Sequence, residues 1–338
     1  MIAAVYYGPK DVKIEEVPVP KIMDDEILIK MLRIGICPTD VRYYSGLRGE
    51  STFDTPHFTT GKDSFGLSGH EVVGQVMKVG KNVTDFKDGD IVTHETFTYC
   101  GECKYCRAGL INLCEKKLDI ARGYAGYVRL PAKFAYKLDS DVGIKRAAFA
   151  EPLAVVIHAV RKIPQNNLAI IGAGPMGLLM ALYARHIGKK IVLLEQKEER
   201  IKFAKGIGLD QVFKTSGEEF EKAKIILNND IFGVISSVGG KNAIQLAYDL
   251  SSGPVVIFGG TYPPESIQLE LNNIHYSEKI VTGSADHVVK DMIESIQLIS
   301  NGTLPLESLV TREYHITGLK QAFDNIIAGN EMKVQIYF

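Results

Sequence analysis

The stretch Leu168–Gly177, LAIIGAGPMG, runs from four apolar residues into glycines at 172, 174 and 177. It continues as LLMALYA, so the glycines fall in the spacing G-x-G-x-x-G, between the end of a strand and the start of a helix. Each glycine has a physical task there: a tight turn, close approach of the backbone to a pyrophosphate, and close packing of helix on sheet. The helix N-terminus adds free N–H groups for the phosphates. Further along, KIVLLE ends in Glu195, 23 residues beyond Gly172. That is near the roughly 20 at which an acid meets the ribose hydroxyls of a dinucleotide. A carboxylate repels a 2′-phosphate, so NAD is the expected cofactor, with NADP admitted by Lys197 and Arg200 nearby. Pro175, Met176, Arg200, Val238, Gly239 and Phe258 are the further positions expected to face it.

The texture on either side of this stretch sets the domain plan. From residue 168 onward LAIIG, KIVLLE, QVFK, IFGVISSV, PVVIFGG and KIVTGS alternate with helical stretches, the pattern of a doubly wound parallel sheet with helices on both faces. Upstream of about residue 149, runs such as EILIKMLRIGI, EVVGQVMKVG and GYVRL are broken by Gly, Pro and Asp, which reads as a β-rich domain. The tail GLKQAFDNIIAGNEMKVQIYF reads as an amphipathic helix closed by Gly329, then a strand returning to the first domain. The expected division is 1–149 with 287–338, and 150–286 for the α/β domain. The apolar run Leu168–Ala184 approaches a membrane span in length. Its three glycines and a proline, with Arg185 and His186 beyond, fit a buried strand, turn and helix instead.

With 39 Lys and Arg against 40 Asp and Glu, the net charge is −1. No basic stripe favours nucleic acid or an anionic membrane, so a small molecule is the expected partner. The N-terminus carries no basic leader with an apolar core, and five cysteines suit a reducing, cytoplasmic setting.

Four of those cysteines, Cys100, Cys103, Cys106 and Cys114, lie within CGECKYCRAGLINLC. Four thiolates complete a tetrahedral zinc shell and leave no place for substrate, so the site is structural and the lobe 95–115 is a brace. The spacing does not meet that of a ferredoxin cluster, and disulfides belong to another compartment. Cys37, the fifth, sits in GICPTDVRYY; alone it reads as a small core residue. SGHEVVG adds His70 and Glu71, and AEPLAVVIHAV adds Glu151 at the mouth of a helix. Thiolate, imidazole and carboxylate make a mixed shell in which three protein ligands leave an exchangeable position. Neighbours in a regular strand point to opposite faces, so Glu71 joins His70 on one ion only where the strand is irregular; Glu71 and Glu151 both remain candidates. His94, His158, His186, His275 and His315 have no partner motif and read as surface or core residues.

Taken together, the lone cysteine, G-H-E, four-cysteine lobe, E-P-L helix and nucleotide fingerprint resemble the zinc-dependent medium-chain dehydrogenase/reductase family. Within it, CPTDVRYY and EPLAVVIHAVR are similar to segments of the polyol (sorbitol-type) dehydrogenases. The resemblance implies a GroES-like β-rich catalytic domain and a Rossmann domain, two zinc ions per chain, and a homotetramer or dimer. It also implies hydride transfer between a polyol or sugar and NAD(P). By that likeness Cys37, His70 and Glu71 or Glu151 bind the catalytic zinc, Thr39 is the hydroxyl next to the reacting oxygen that relays its proton outward, and Tyr43 walls the substrate cleft; Phe97 and Tyr124, which flank the zinc lobe, are candidates to line it. A threonine or diol dehydrogenase, or a non-catalytic NAD-binding zinc protein, is the alternative. Two departures stand out. Arg42 replaces the histidine that ends the family's proton relay, and GSADHVV offers Asp286 or His287 where the polyol enzymes carry an arginine. The segment 46–71 looks longer than usual, and His57 within it is a candidate relay substitute.

Overall fold

The computed structural model describes residues 1–47, 69–120, 123–261, 263–329 and 331–338; His57 and most of the long segment around it lie outside them. The chain forms two compact units, Met1–Pro152 with Val288–Phe338, and Leu153–His287.

The first unit opens with the antiparallel hairpin of β1 (Ile2–Gly8) and β2 (Asp11–Glu16). Next come β3 (Glu26–Gly35), α1 (Pro38–Tyr44), β4 (Glu71–Val79), β5 (Ile91–His94), β6 (Phe97–Thr98), α2 (Lys104–Arg107), β7 (Leu118–Asp119), β8 (Tyr127–Pro131), β9 (Ala135–Lys137) and α3 (Ile144–Ala147). In β3 the alternation of the pleat is plain: Ile27, Ile29 and Met31 are buried while Lys30 is exposed. Helix α4 (Ala150–Val160) begins at the end of this unit's first segment.

In the second unit the six apolar runs become six strands: β10 (Asn167–Ile171), β11 (Lys190–Glu195), β12 (Val212–Lys214), β13 (Phe232–Ser236), β14 (Val255–Ile257) and β15 (Val281–Gly283). They pair in parallel in the order β12-β11-β10-β13-β14-β15. This is the doubly wound order, which reverses direction between β10 and β13 and opens a crevice at their carboxyl ends. All five residues of β10 are buried, as a strand covered on both faces requires. The helices between the strands are α5 (Pro175–His186), α6 (Glu198–Gly206), α7 (Gly217–Asn228), α8 (Lys241–Leu250) and α9 (Leu271–Tyr276).

After α10 (Val289–Asn301) the chain completes the first unit with β16 (Val310–His315), α11 (Leu319–Ile327) and β17 (Lys333–Tyr337). Leu319, Ala322 and Phe323 give α11 its buried face, and Phe323 stacks on Tyr44. Strand β17 pairs antiparallel with β3, and the sheet runs β16-β17-β3-β4-β5-β9 with β8 also on β3. Among the described residues no helix is long and apolar enough to cross a membrane.

Candidate functional site

In the second unit the glycine turn follows β10. Gly172 adopts φ of +99°, and a Cβ there would lie 2.2 Å from Val238 Cγ2. A Cβ on Gly177 would lie 1.9 Å from the Gly172 carbonyl oxygen, so the third glycine is needed for packing. Gly174, by contrast, has only Arg200 Nη1 near its absent Cβ, at 3.6 Å, which leaves its face clear for a phosphate. Glu195 at the end of β11 fastens this turn: Oε2 accepts the Ala173 N–H at 2.8 Å, Oε1 accepts those of Gln196 and Lys197 at 2.7 and 3.0 Å, and Arg200 lies 3.7 Å away. Val238, Gly239 and Phe258 sit just beyond β13 and β14, and a Cβ on Gly239 would strike the Gly260 carbonyl oxygen at 2.0 Å. The dinucleotide-type positions are thus gathered at the carboxyl ends of β10, β11, β13 and β14.

In the first unit the ligand atoms of Cys100, Cys103, Cys106 and Cys114 lie within 4.8 Å of one another. The sulfurs of Cys100 and Cys106 are 3.9 Å apart and those of Cys100 and Cys114 3.6 Å. Both distances are far too long for a disulfide, and tetrahedral Zn–S bonds of about 2.3 Å place sulfurs about 3.8 Å apart. Backbone N–H groups favour the thiolate at Cys103 and Cys114, whereas burial pushes the Cys106 thiol up to about 12. The N–H groups of Cys106 and Glu115 lower the Cys103 pKa to about 6. At Cys114 burial opposes ionisation, but the N–H groups of Cys100 and Lys116 outweigh it. The four donors fit zinc and leave it no free position.

Cys37, His70 and Glu71 form the second cluster, their ligand atoms likewise within 4.8 Å of one another. Cys37 caps α1: its sulfur accepts the Thr39 N–H at 3.5 Å, and its own N–H donates to Asp40 Oδ2 at 3.1 Å. His70 precedes β4 and Glu71 begins it, so the pair does not obey the alternation of a regular strand. Gly69 makes the bend with φ of +46°, where a Cβ would lie 2.8 Å from the Tyr124 ring. Burial pushes the His70 imidazole down, but Cys37, Asp40 and Glu151 outweigh it and hold it well above the usual range. One Glu71 oxygen, Oε1, is buried without a hydrogen-bond partner among the described residues, whereas Oε2 pairs with Lys333 Nζ. An orphaned oxygen beside a thiol and an imidazole fits a zinc ion with three protein ligands. Glu151 bears on the charge of His70 but is not in the set that converges within 4.8 Å.

Other sequence expectations land differently. Tyr124 is buried, stands edge-on to Phe323, and donates its hydroxyl to Asp40 Oδ2 at 2.9 Å. Phe97 is also interior, packed with Ile111 and Val288 beneath Lys117. Tyr43 is buried in α1, Thr39 is half-buried in its first turn, and Arg42 lies in its last. Asp286 takes φ of +53° and His287 is fully buried. Reading from residue types missed Asp40 and Lys333. Asp40 stands three residues after Cys37, and that spacing of a helix cap was its available signal. His70 Nδ1 lies 3.7 Å from Asp40 Oδ1, where a carboxylate orients an imidazole. Lys333 had no local signal.

Residues 23–140 match the alcohol dehydrogenase GroES-like domain, and residues 175–301 match the zinc-binding dehydrogenase domain. The chain is 32% identical to sorbitol dehydrogenase of Bombyx mori, covering 99% of this chain and 98% of that protein. It is 30% identical to D-arabitol-phosphate dehydrogenase of Enterococcus avium, over 95% and 92% respectively. Galactitol-1-phosphate dehydrogenase of Escherichia coli has the same fold, with a TM-score of 0.88 over the whole of both chains at 24% identity. The paired domains and the full-length relatives place this chain in the zinc-dependent medium-chain dehydrogenase/reductase family, to which it belongs.

Proposed function

We propose that this chain oxidises a secondary alcohol of a polyol or sugar to the ketone, with NAD as hydride acceptor. The carrying observation is the convergence of Cys37, His70 and Glu71, with one buried oxygen left over, in a chain that also holds a dinucleotide fingerprint. Cys37, His70 and Glu71 would hold the catalytic zinc, and the four-cysteine lobe the structural one. Bound there, zinc would supply Lewis-acid polarisation of the alcohol oxygen and NAD would serve as hydride acceptor. The carbinol carbon would lose that hydride and its oxygen a proton, which the Thr39 hydroxyl would relay outward to solvent, giving up its own proton as it takes the substrate's. Asp40 orients His70, with Tyr124 holding Asp40 from behind. The N-terminus of α5 would hold the pyrophosphate, and the Glu195 carboxylate would disfavour a 2′-phosphate, which supports NAD over NADP.

Relatives named for sorbitol, xylulose and arabitol phosphate support a polyol or sugar substrate, while one named L-threonine 3-dehydrogenase keeps an amino alcohol in the test. We place the enzyme in the cytoplasm as a homotetramer. Leu271 and Tyr276, 76% and 80% exposed, offer apolar surface that another copy would cover.

The test assays NADH formation with polyols, sugars, diols and threonine, beside a zinc count. The expected result is turnover with a polyol or sugar and about two zinc ions per chain. Cys37→Ala should remove one zinc and lower kcat/KM by about 10³-fold or more, roughly 4 kcal/mol. Absence of turnover across the panel, or an unchanged zinc count in Cys37→Ala, would overturn the reading.

A further inference from the structure

The two oxygens of Glu71 stand in different surroundings. Oε2 is ion-paired with Nζ of Lys333 on β17, and the two side chains are 1% and 3% exposed. Oε1 has no hydrogen-bond partner among the described residues. Lys333 reaches this carboxylate across the intervening strand: Gly35 of β3 stands opposite Glu71 on β4 and opposite Gln335 on β17. A Cβ on Gly35 would lie 2.0 Å from Glu71 Oε2, so the missing side chain leaves the space in which the pair meets. The ammonium otherwise donates to the Ile36 carbonyl at 3.4 Å and lies 5.7 Å from the centroid of the Phe149 ring. A lysine this deep has surrendered its hydration and is tolerable only with its counter-charge.

A fixed positive charge therefore shares one carboxylate with the place where a divalent cation would bind. We propose that Lys333 is the positioning counter-cation of Glu71: it pins Oε2, presents Oε1 as the single oxygen for zinc, and limits how tightly zinc is held. The inference rests on the reading that Cys37, His70 and Glu71 hold zinc. Two cations drawing on one carboxylate weaken each other, because each polarises electron density the other uses and each repels the other. Removing the ammonium leaves a buried carboxylate uncompensated until zinc arrives, so zinc binding then contributes more to stability than in the parent.

The experiment measures zinc affinity by chelator competition, and the rise in Tm on zinc loading, for the parent, Lys333→Met and Lys333→Arg. Lys333→Met should melt lower without zinc, gain more from zinc, and hold it about tenfold tighter. Lys333→Arg keeps the charge, and its planar fork can take both oxygens of Glu71, so zinc should be held about tenfold more weakly. Opposite movements of the two variants support the assignment. A residue that merely braces the sheet would lower the apo and zinc-loaded Tm equally and leave chelator competition unchanged, which overturns it. If Lys333→Met does not fold, Lys333→Arg decides: an affinity equal to the parent's sinks the proposal. Cys37→Ala separates the two levels. Retention of both zinc ions there sinks the metal site itself, whereas loss of one zinc with unaltered affinity in both Lys333 variants sinks only the role of Lys333.

Discussion

His94 shows how burial settles the chemistry of a single ring. The sequence offers it as one of five histidines without a motif. It is in fact buried beside Glu95, with Nδ1 2.7 Å from the Glu95 carbonyl oxygen. A carbonyl only accepts, so the proton sits on Nδ1, and Nε2 is left without a hydrogen-bond partner among the described residues. Burial lowers its pKa below the usual imidazole range. The unfolded ring, by contrast, takes a proton near pH 6.5. The His94 contribution to stability is thus intact above about pH 6.5 and is lost as pH falls, by up to about 1.4 kcal/mol at one unit lower. Thermal melts of the zinc-loaded protein between pH 7.5 and 5.5 should show Tm falling, and His94→Phe should flatten the fall. An equal slope in the variant would exclude His94 as the cause. At the cluster nearby, residue type alone singled out Cys37, His70 and two carboxylates. The structure brings Glu71 into the converging set, next to the bend at Gly69, and leaves Glu151 on α4 outside it.

The glycine turn between β10 and α5 was the most legible element, because strand, turn and helix follow one another within about twenty residues and each glycine has its own steric task. Those tasks can be separated by mutation. Gly174→Ala places a methyl where no protein atom comes closer than 3.6 Å, so Tm should hold while NAD affinity drops at least about tenfold, roughly 1.4 kcal/mol. Gly177→Ala drives a methyl to 1.9 Å from the Gly172 oxygen and should lower Tm as well. Calorimetric titration with NAD beside thermal melts checks both, and equal losses of Tm would contradict the distinction. The four-cysteine lobe was legible for the same reason, since its donors span only fifteen residues. The surroundings of the aromatic residues were less legible. Phe97 and Tyr124 were placed by their nearness to the lobe in sequence, but their side chains turn into the interior, one beneath Lys117 and the other onto Asp40.

For the whole molecule, subunit number is a matter of exposed surface. Leu271 and Tyr276 in α9 and Ile280 beside it remain open to solvent on the 37.3 kDa chain. Light scattering should return a mass four times that of one chain, and charging the patch with Leu271→Asp and Tyr276→Asp should lower it. A monomeric parent would refute the tetramer. The sequence by itself determined the parallel-sheet unit, the dinucleotide turn, the zinc lobe and the candidate ligand types, because each is written in short-range spacing that local sterics enforce. Tertiary structure alone decided that Lys333, 262 residues from Glu71, would become its partner. The neighbour of a buried charge is chosen by which strands lie side by side, here β17, β3 and β4, and that order is set by packing of the whole sheet rather than by distance along the chain.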